Sequence, residues 1–207
     1  MNPLLINSAR AAAGVGWRFT LCVALAGCAT GPNNVQVQLP AYTAPSAGAT
    51  VRGMVQVEPV REARRDAVGQ LVGQRTGLGG MSMGQIELNP SPTVATTAML
   101  QAELKGKGFT LSDAGAPARV ATRITRFQVQ TPATALYWDI NGAIDLEIDA
   151  TGPGGRQHAA SYQVQCTNRT YAWPSEELIA KVLDSCLKEL GSRIRADSAL
   201  ASTLAAP

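Results

Sequence analysis

Hydrophobic and polar residues alternate most regularly between residues 140 and 166. Ile140, Gly142, Ile144, Leu146 and Ile148 take turns with Asn141, Ala143, Asp145, Glu147 and Asp149. A period of two puts the first set on one face of a strand and the second on the other. Gly152-Pro153-Gly154-Gly155 turns the chain, and His158, Ala160, Tyr162, Val164 and Cys166 alternate on the return. Upstream, Val120, Thr122 and Ile124 alternate, and Phe127 and Val129 continue out of phase. A bulge near Thr125 reconciles the two halves, because one extra residue resets the parity. These three segments predict an antiparallel meander with one wet face.

The pattern before the meander is less regular. Val51, Gly53, Val55 and Val57 alternate with polar positions up to Pro59, which predicts a half-buried strand. Residues 61–84 carry Arg61, Glu62, Arg64, Arg65 and Asp66, then six glycines, and read as a mobile loop or a loosely paired hairpin. Ile86 and Leu88 suggest a short strand end. Asn89-Pro90-Ser91-Pro92 signals a helix start, with Ser91 at the N-cap and Pro92 at the first helical position. That helix is expected to run to about Lys105, to present Val94, Ala98, Leu100 and Leu104 on one side, and to leave through Gly106 and Gly108.

Ser175 caps a final helix, with Glu176 and Glu177 in its first turn, where carboxylates favour the helix dipole. Leu178, Ile179, Val182, Leu183, Cys186, Leu187, Leu190 and Ile194 form its apolar stripe. The order strand, loop, helix, meander, helix predicts an α+β fold: an antiparallel β-sheet with two α-helices packed on one face. This domain is expected over residues 49–196, with residues 197–207 as a disordered tail.

The first 27 residues read differently. Arg10 and Arg18 form a positive start, and Phe19 to Ala26 is an apolar run too short to span a bilayer. Leu25-Ala26-Gly27-Cys28 resembles the bacterial lipobox, in which the cysteine takes a lipid and the peptidase cuts just before it. Residues 1–27 are therefore expected to be a lipoprotein signal peptide. Residues 28–48 are expected to be the lipidated Cys28 and a flexible tether punctuated by Pro32, Pro40 and Pro45. In enterobacterial lipoproteins an Asp directly after the lipidated cysteine favours the inner membrane. Ala29 stands there, so resemblance to that rule places the protein on the outer membrane, facing the periplasm.

Composition then narrows the function classes. The formal charge of +3 falls to +1 once the leader is removed, with 16 basic against 15 acidic side chains. That balance leaves no electrostatic footprint for nucleic acid. His158 is the only histidine, with no Ser or Cys nucleophile partner in view, and is read as structural. No His/Cys/Asp cluster has metal-ligand spacing, so neither a metal nor a cofactor is expected. Asp145, Glu147 and Asp149 read as the solvated side of their strand. Arg119, Arg123 and Arg126, with Arg61, Arg64 and Arg65, read as surface charges balanced by nearby acids. Gly77-Leu78-Gly79-Gly80-Met81-Ser82 fits neither phosphate-loop spacing, and Met81 and Met83 read as incidental to a loop. Tyr137, Trp138 and Trp173 are expected to pack at the core or at the helix entry. Cys166 has inward parity and Cys186 lies mid-stripe on the last helix. In an oxidising compartment this pair is expected to form a disulfide.

Taken in order, the lipobox, the Arg61–Asp66 segment, the Pro-Ser-Pro helix start, the Gly142–Ile148 strand, the Gly-rich hairpin and the amphipathic last helix resemble the YajG-like family of bacterial outer-membrane lipoproteins, over roughly residues 49 to 196. The resemblance implies an envelope lipoprotein and brings no catalytic residues or ligand with it. The expected function is a lipid-anchored, non-catalytic structural or protein-interaction module with an envelope protein partner. The alternative is a carrier or sensor holding an apolar or cell-wall-derived ligand between sheet and helices.

Overall fold

The computed structural model describes residues 35–44, 52–65 and 69–205. Cys28 and residues 1–27, expected to be a signal peptide, lie outside the described residues. In chain order the elements are β1 (Val35–Gln38), β2 (Gly53–Val57), β3 (Arg61–Glu62), β4 (Leu71–Thr76), β5 (Ser82–Asn89), α1 (Pro92–Gly106), β6 (Phe109–Ser112), β7 (Ala118–Thr131), β8 (Trp138–Thr151), β9 (Gln157–Thr170), α2 (Glu176–Ala196) and α3 (Ser198–Leu204).

The meander forms as its alternation dictates. β8 pairs antiparallel with β7 and with β9, in continuous register from Trp138↔Thr170 to Thr151↔Gln157 on the β9 side. The β7–β8 register slips between Ile124 and Arg126, at the bulge the broken parity requires. Ile140, Ile144, Leu146 and Ile148 are buried, and their neighbours Glu147 and Asp149 reach solvent.

The rest of the sheet corrects the expectation of a purely antiparallel meander: the sheet is mixed. β2, β3 and β4 all run parallel to β7, at Val55↔Ala118, Arg61↔Arg123 and Gly73↔Val129. They act as one interrupted strand tracking the whole length of β7. β4 and β5 form an antiparallel hairpin, so the glycine-rich segment is structured and the hairpin reading holds. β6 adds parallel to β2, and β1 adds parallel to β5. Residues 35–38 are therefore an edge strand with Val35 and Val37 buried, which corrects the reading of 28–48 as flexible tether throughout.

Among the described residues three α-helices, not two, cover one face. α2 packs on β8, β9 and β1, and α1 packs on α2 and β6. α1 starts at Pro92 as expected, but its buried face is Pro92, Ala95, Thr96, Met99, Leu100, Glu103 and Leu104. Leu100 and Leu104 of the expected stripe are buried, but Val94 is 55% exposed and Ala98 is exposed too, so the buried face is rotated away from the first half of that stripe. Two buried polar residues, Thr96 and Glu103, interrupt the apolar signal that sets the phase. The disordered tail is also corrected. Asp197 caps α3 by accepting from the Leu200 amide at 2.8 Å, and Leu200, Ala201 and Leu204 are buried. The side chain of a short polar residue ahead of the apolar spacing Leu200–Leu204 is enough to start a helix that the core then holds. At Gly152 an added Cβ would lie 1.8 Å from the Thr203 carbonyl oxygen. Only glycine lets α3 approach this turn.

Candidate functional site

Cys166 and Cys186 are joined in a disulfide, with their Cα atoms 5.6 Å apart. This bond staples the middle of α2 to β9. Room for it comes from Gly142, the β8 partner of Cys166, where a Cβ would lie 3.2 Å from the Cys186 sulfur. Cys28, the other residue singled out, lies outside the described residues.

A buried polar cluster closes the opposite flank. Glu103 of α1 is fully buried and accepts from Arg195 Nε of α2 at 2.6 Å. The second Arg195 nitrogen and the Tyr42 hydroxyl donate to the other carboxylate oxygen. Burial, then the hydrogen bond to Glu103, push the Tyr42 phenol well above its ordinary range. Gly191 makes space for this contact, since a Cβ there would lie 2.1 Å from the Tyr42 oxygen. The segment after β1 is thereby tied to both long helices.

His158 joins a second polar cluster. His158 Nε2 lies 3.1 Å and the Tyr162 hydroxyl 2.6 Å from Asp197 Oδ2. Lys107 donates to the Asp197 carbonyl at 2.7 Å. Burial pushes the Asp197 carboxyl up, but hydrogen bonds from Tyr162, the Leu200 amide and His158 together take it down to about 2. An aspartate held ionised in this way, already saturated by donors and capping a helix, is a structural junction between β9, α1 and α3.

On the helix-free face, Arg123 bridges Glu147 at 3.0 Å and Asp149 at 3.4 Å, and Arg126 lies 3.8 Å from Asp145. These strand acids and the Arg123 and Arg126 side chains of β7 neutralise one another. Arg64 does something the sequence did not reveal. Among the described residues, the ladder on this side of β7 is interrupted between the pairing with β3 at Ile124 and the pairing with β4 at Val129. The Arg64 guanidinium enters this gap and donates to the carbonyls of Phe127 at 3.1 Å and Leu71 at 2.8 Å, with Glu62 pairing it at 2.7 Å. A fork of donors replaces a missing stretch of ladder. A shallow concavity of about 620 Å³ lies here, lined by Arg64, Arg65, Arg126 and Asp145 among others.

The remaining feature is an apolar end. The turns after β4, β7 and β9 meet where α2 begins. Trp138 and Trp173 pack edge to face at 5.7 Å, and Tyr137 and Tyr171 do so at 6.4 Å. The Arg75 guanidinium sits 5.5 Å from the Trp173 ring and donates to the Pro174 carbonyl at 3.1 Å. Its burial lowers its basicity. Arg169 covers Tyr137 at 3.8 Å and pairs with Asp139. Trp138 is packed, as expected for an aromatic beside the core, but Trp173 is 44% exposed and Tyr171 78%. No signal in the sequence marks Arg75, because its glycine-rich segment fits a mobile loop as well as a loosely paired hairpin. Glu103 was detectable in principle, as a charge spaced four residues from Met99 on the same helix face.

Among the described residues no group of three His, Cys, Asp or Glu side chains is placed to hold a metal ion, and no helix is long and apolar enough to cross a membrane. No curated protein matches the chain. A crystal structure of a Xanthomonas campestris protein of the DUF330 family is similar at 11% identity, with a TM-score of 0.52, covering 79% of this chain and 92% of that one. A minor lipoprotein from Acinetobacter baumannii aligns at 10% identity and a TM-score of 0.43, over 75% of this chain and 98% of that one. The first likeness is one of fold alone, and the second is too slight to carry an argument. The family model described as "Uncharacterized lipoprotein" matches residues 64–205. That stretch runs from the Arg64 plug through the meander and all three helices, so the chain belongs to the Lipoprotein_16 family of bacterial lipoproteins, in keeping with its YajG-like resemblance.

Proposed function

We propose that this protein is anchored by lipid on Cys28 in the outer membrane, faces the periplasm, and acts without catalysis as a structural or protein-interaction module. The observation that carries this reading is the filling of the layer between sheet and helices. Phe127, Ile140, Ile144, Leu146, Ile179, Leu183 and Leu190 are each 0–1% exposed and interdigitate there. A carrier of the alternative kind needs that space for its ligand. Binding is left to the surface, and among the described residues β9 pairs only with β8. A 14-residue edge strand offers backbone donors and acceptors to a partner strand.

The anchoring and the partner are tested separately. Cys28→Ser is expected to stop fatty-acid labelling and processing, and the native protein is expected to sediment with outer-membrane vesicles on a sucrose gradient. Recovery with the inner membrane overturns the localisation. A photocrosslinker at Gln165 is expected to trap an envelope protein, whereas one at Val94 on α1 is not. An apolar ligand co-purifying in stoichiometric amount would favour the carrier instead.

A further inference from the structure

We propose that the aromatic end of the fold is a membrane-contact surface, which seats the domain directly on the bilayer that holds its lipid. This rests on the anchoring of Cys28 and adds to it how the domain stands on the membrane.

Seven large apolar side chains among the described residues are markedly exposed. Five of them, Leu78, Met81, Leu136, Tyr171 and Trp173, come from the three turns at this one end. Exposed apolar residues scattered singly need no explanation, but a cluster from three separate turns does. Its chemistry is that of the membrane interface. Trp and Tyr rings, apolar in body and polar at the tip, gather at the headgroup level of bilayers. Leu and Met supply the part that enters the acyl boundary.

The course of the chain selects a bilayer as the occupant. Val35 lies opposite Ile86, Ile86 opposite Gly73, and Gly73 opposite Val129, two residues from the end of β7. The chain therefore enters the fold beside the aromatic end. Only residues 29–34 separate Cys28 from Val35. Fully extended, that link reaches at most about 25 Å. β7 alone has 14 residues and is about 46 Å long, so the far end of the sheet lies beyond the reach of a bilayer-bound Cys28. The short link thus presents the aromatic end to the membrane. Nearby charges are mixed: Arg75 and Arg169 stand with Asp139, Glu176 and Glu177. Contact is accordingly driven by apolar burial, with little dependence on salt or on anionic lipid.

Tryptophan emission reads this end selectively. Trp17 lies in the leader, so Trp138 and Trp173 are the only tryptophans after Cys28. The full mature protein, with its lipid, is incorporated into phosphatidylcholine vesicles whose acyl chains carry bromine near the headgroup. The expected result is loss of tryptophan emission relative to unbrominated vesicles, unchanged by high salt. Substituting Leu78, Met81, Leu136 and Tyr171 together by Ser is expected to restore the emission. All four are more than half exposed, and circular dichroism checks that the variant is folded. Protein that carries fatty acid but shows no quenching overturns this inference and leaves the anchoring intact. Protein without fatty acid overturns both. A blue-shifted emission that brominated lipid does not quench assigns the end to another protein or a second copy, and also overturns the proposal.

Discussion

The two halves of the sheet are held by different means. In β7–β8–β9 each strand pairs with its neighbour in sequence, and alternation sets both the register and the buried face. In the other half, every pairing except the β4–β5 hairpin is parallel and distant along the chain, and the strands are short. There side chains complete what backbone ladders do not. Arg64 plugs the gap beside β7, and Glu103 binds Arg195 and Tyr42 behind β1. The lesson is that a sheet assembled from distant short strands leans on a few buried polar contacts, each with a large effect when lost.

The first test of this contrast is Glu103→Ala. It strands Arg195 and the Tyr42 hydroxyl beside a cavity, and breaking a buried pair from one side costs about 3–5 kcal/mol. Arg195 is partly exposed, which moves the expectation to the lower end of that range. Urea unfolding measures it, with hydrogen exchange in β1 and β5 rising more than in β8. Equal loss across both halves would mean that the polar cluster does not act locally.

The meander half has its own staple. Replacing both Cys166 and Cys186 by Ala opens a loop of 19 intervening residues, for which the chain-entropy model gives about 3 kcal/mol. Thermal unfolding of the variant and of reduced wild type should agree. A loss far below this would show that the denatured chain already keeps the hairpin close to α2.

Arg64→Met keeps the aliphatic stem and removes the fork. The carbonyls of Leu71 and Phe127 lose a charged donor, with an expected cost of about 2 kcal/mol. Arg64→Lys is expected to recover only part of it, because one ammonium cannot copy the planar geometry. Full recovery with Lys would reduce the plug to simple charge.

The smallest effect is at Asp197. Its carboxyl stands at about 2 in the fold against an ordinary 3.8. A value lowered by folding means that the stability is fully present above pH 3.8 and lost as pH falls toward 2. Solvent reaches part of the side chain, so about 1 kcal/mol is expected after screening. Asp197→Asn keeps a cap for α3, and the stability gap between it and wild type should close on acidification across that window. A gap that is constant with pH would assign the effect to packing.

Local signals in the sequence were sufficient for much of this protein. Period-two alternation set the faces of β7, β8 and β9, the break in parity located the bulge at Thr125, and Ser175 with the stripe from Ile179 to Ile194 defined α2. Inward parity of Cys166 and the mid-stripe place of Cys186 foretold the disulfide, because both follow from position on a single element. What tertiary structure alone decided was every choice of partner. Nothing in Val35–Gln38 or Leu71–Thr76 states which strand it will join, since main-chain donors and acceptors are the same at each residue. The parallel pairings, the inward turn of Thr96 and Glu103, the docking of α3 and the gathering of Leu78, Leu136 and Tyr171 at one end depend on distant segments arriving together. Their energies come from contacts that do not exist until the chain has folded.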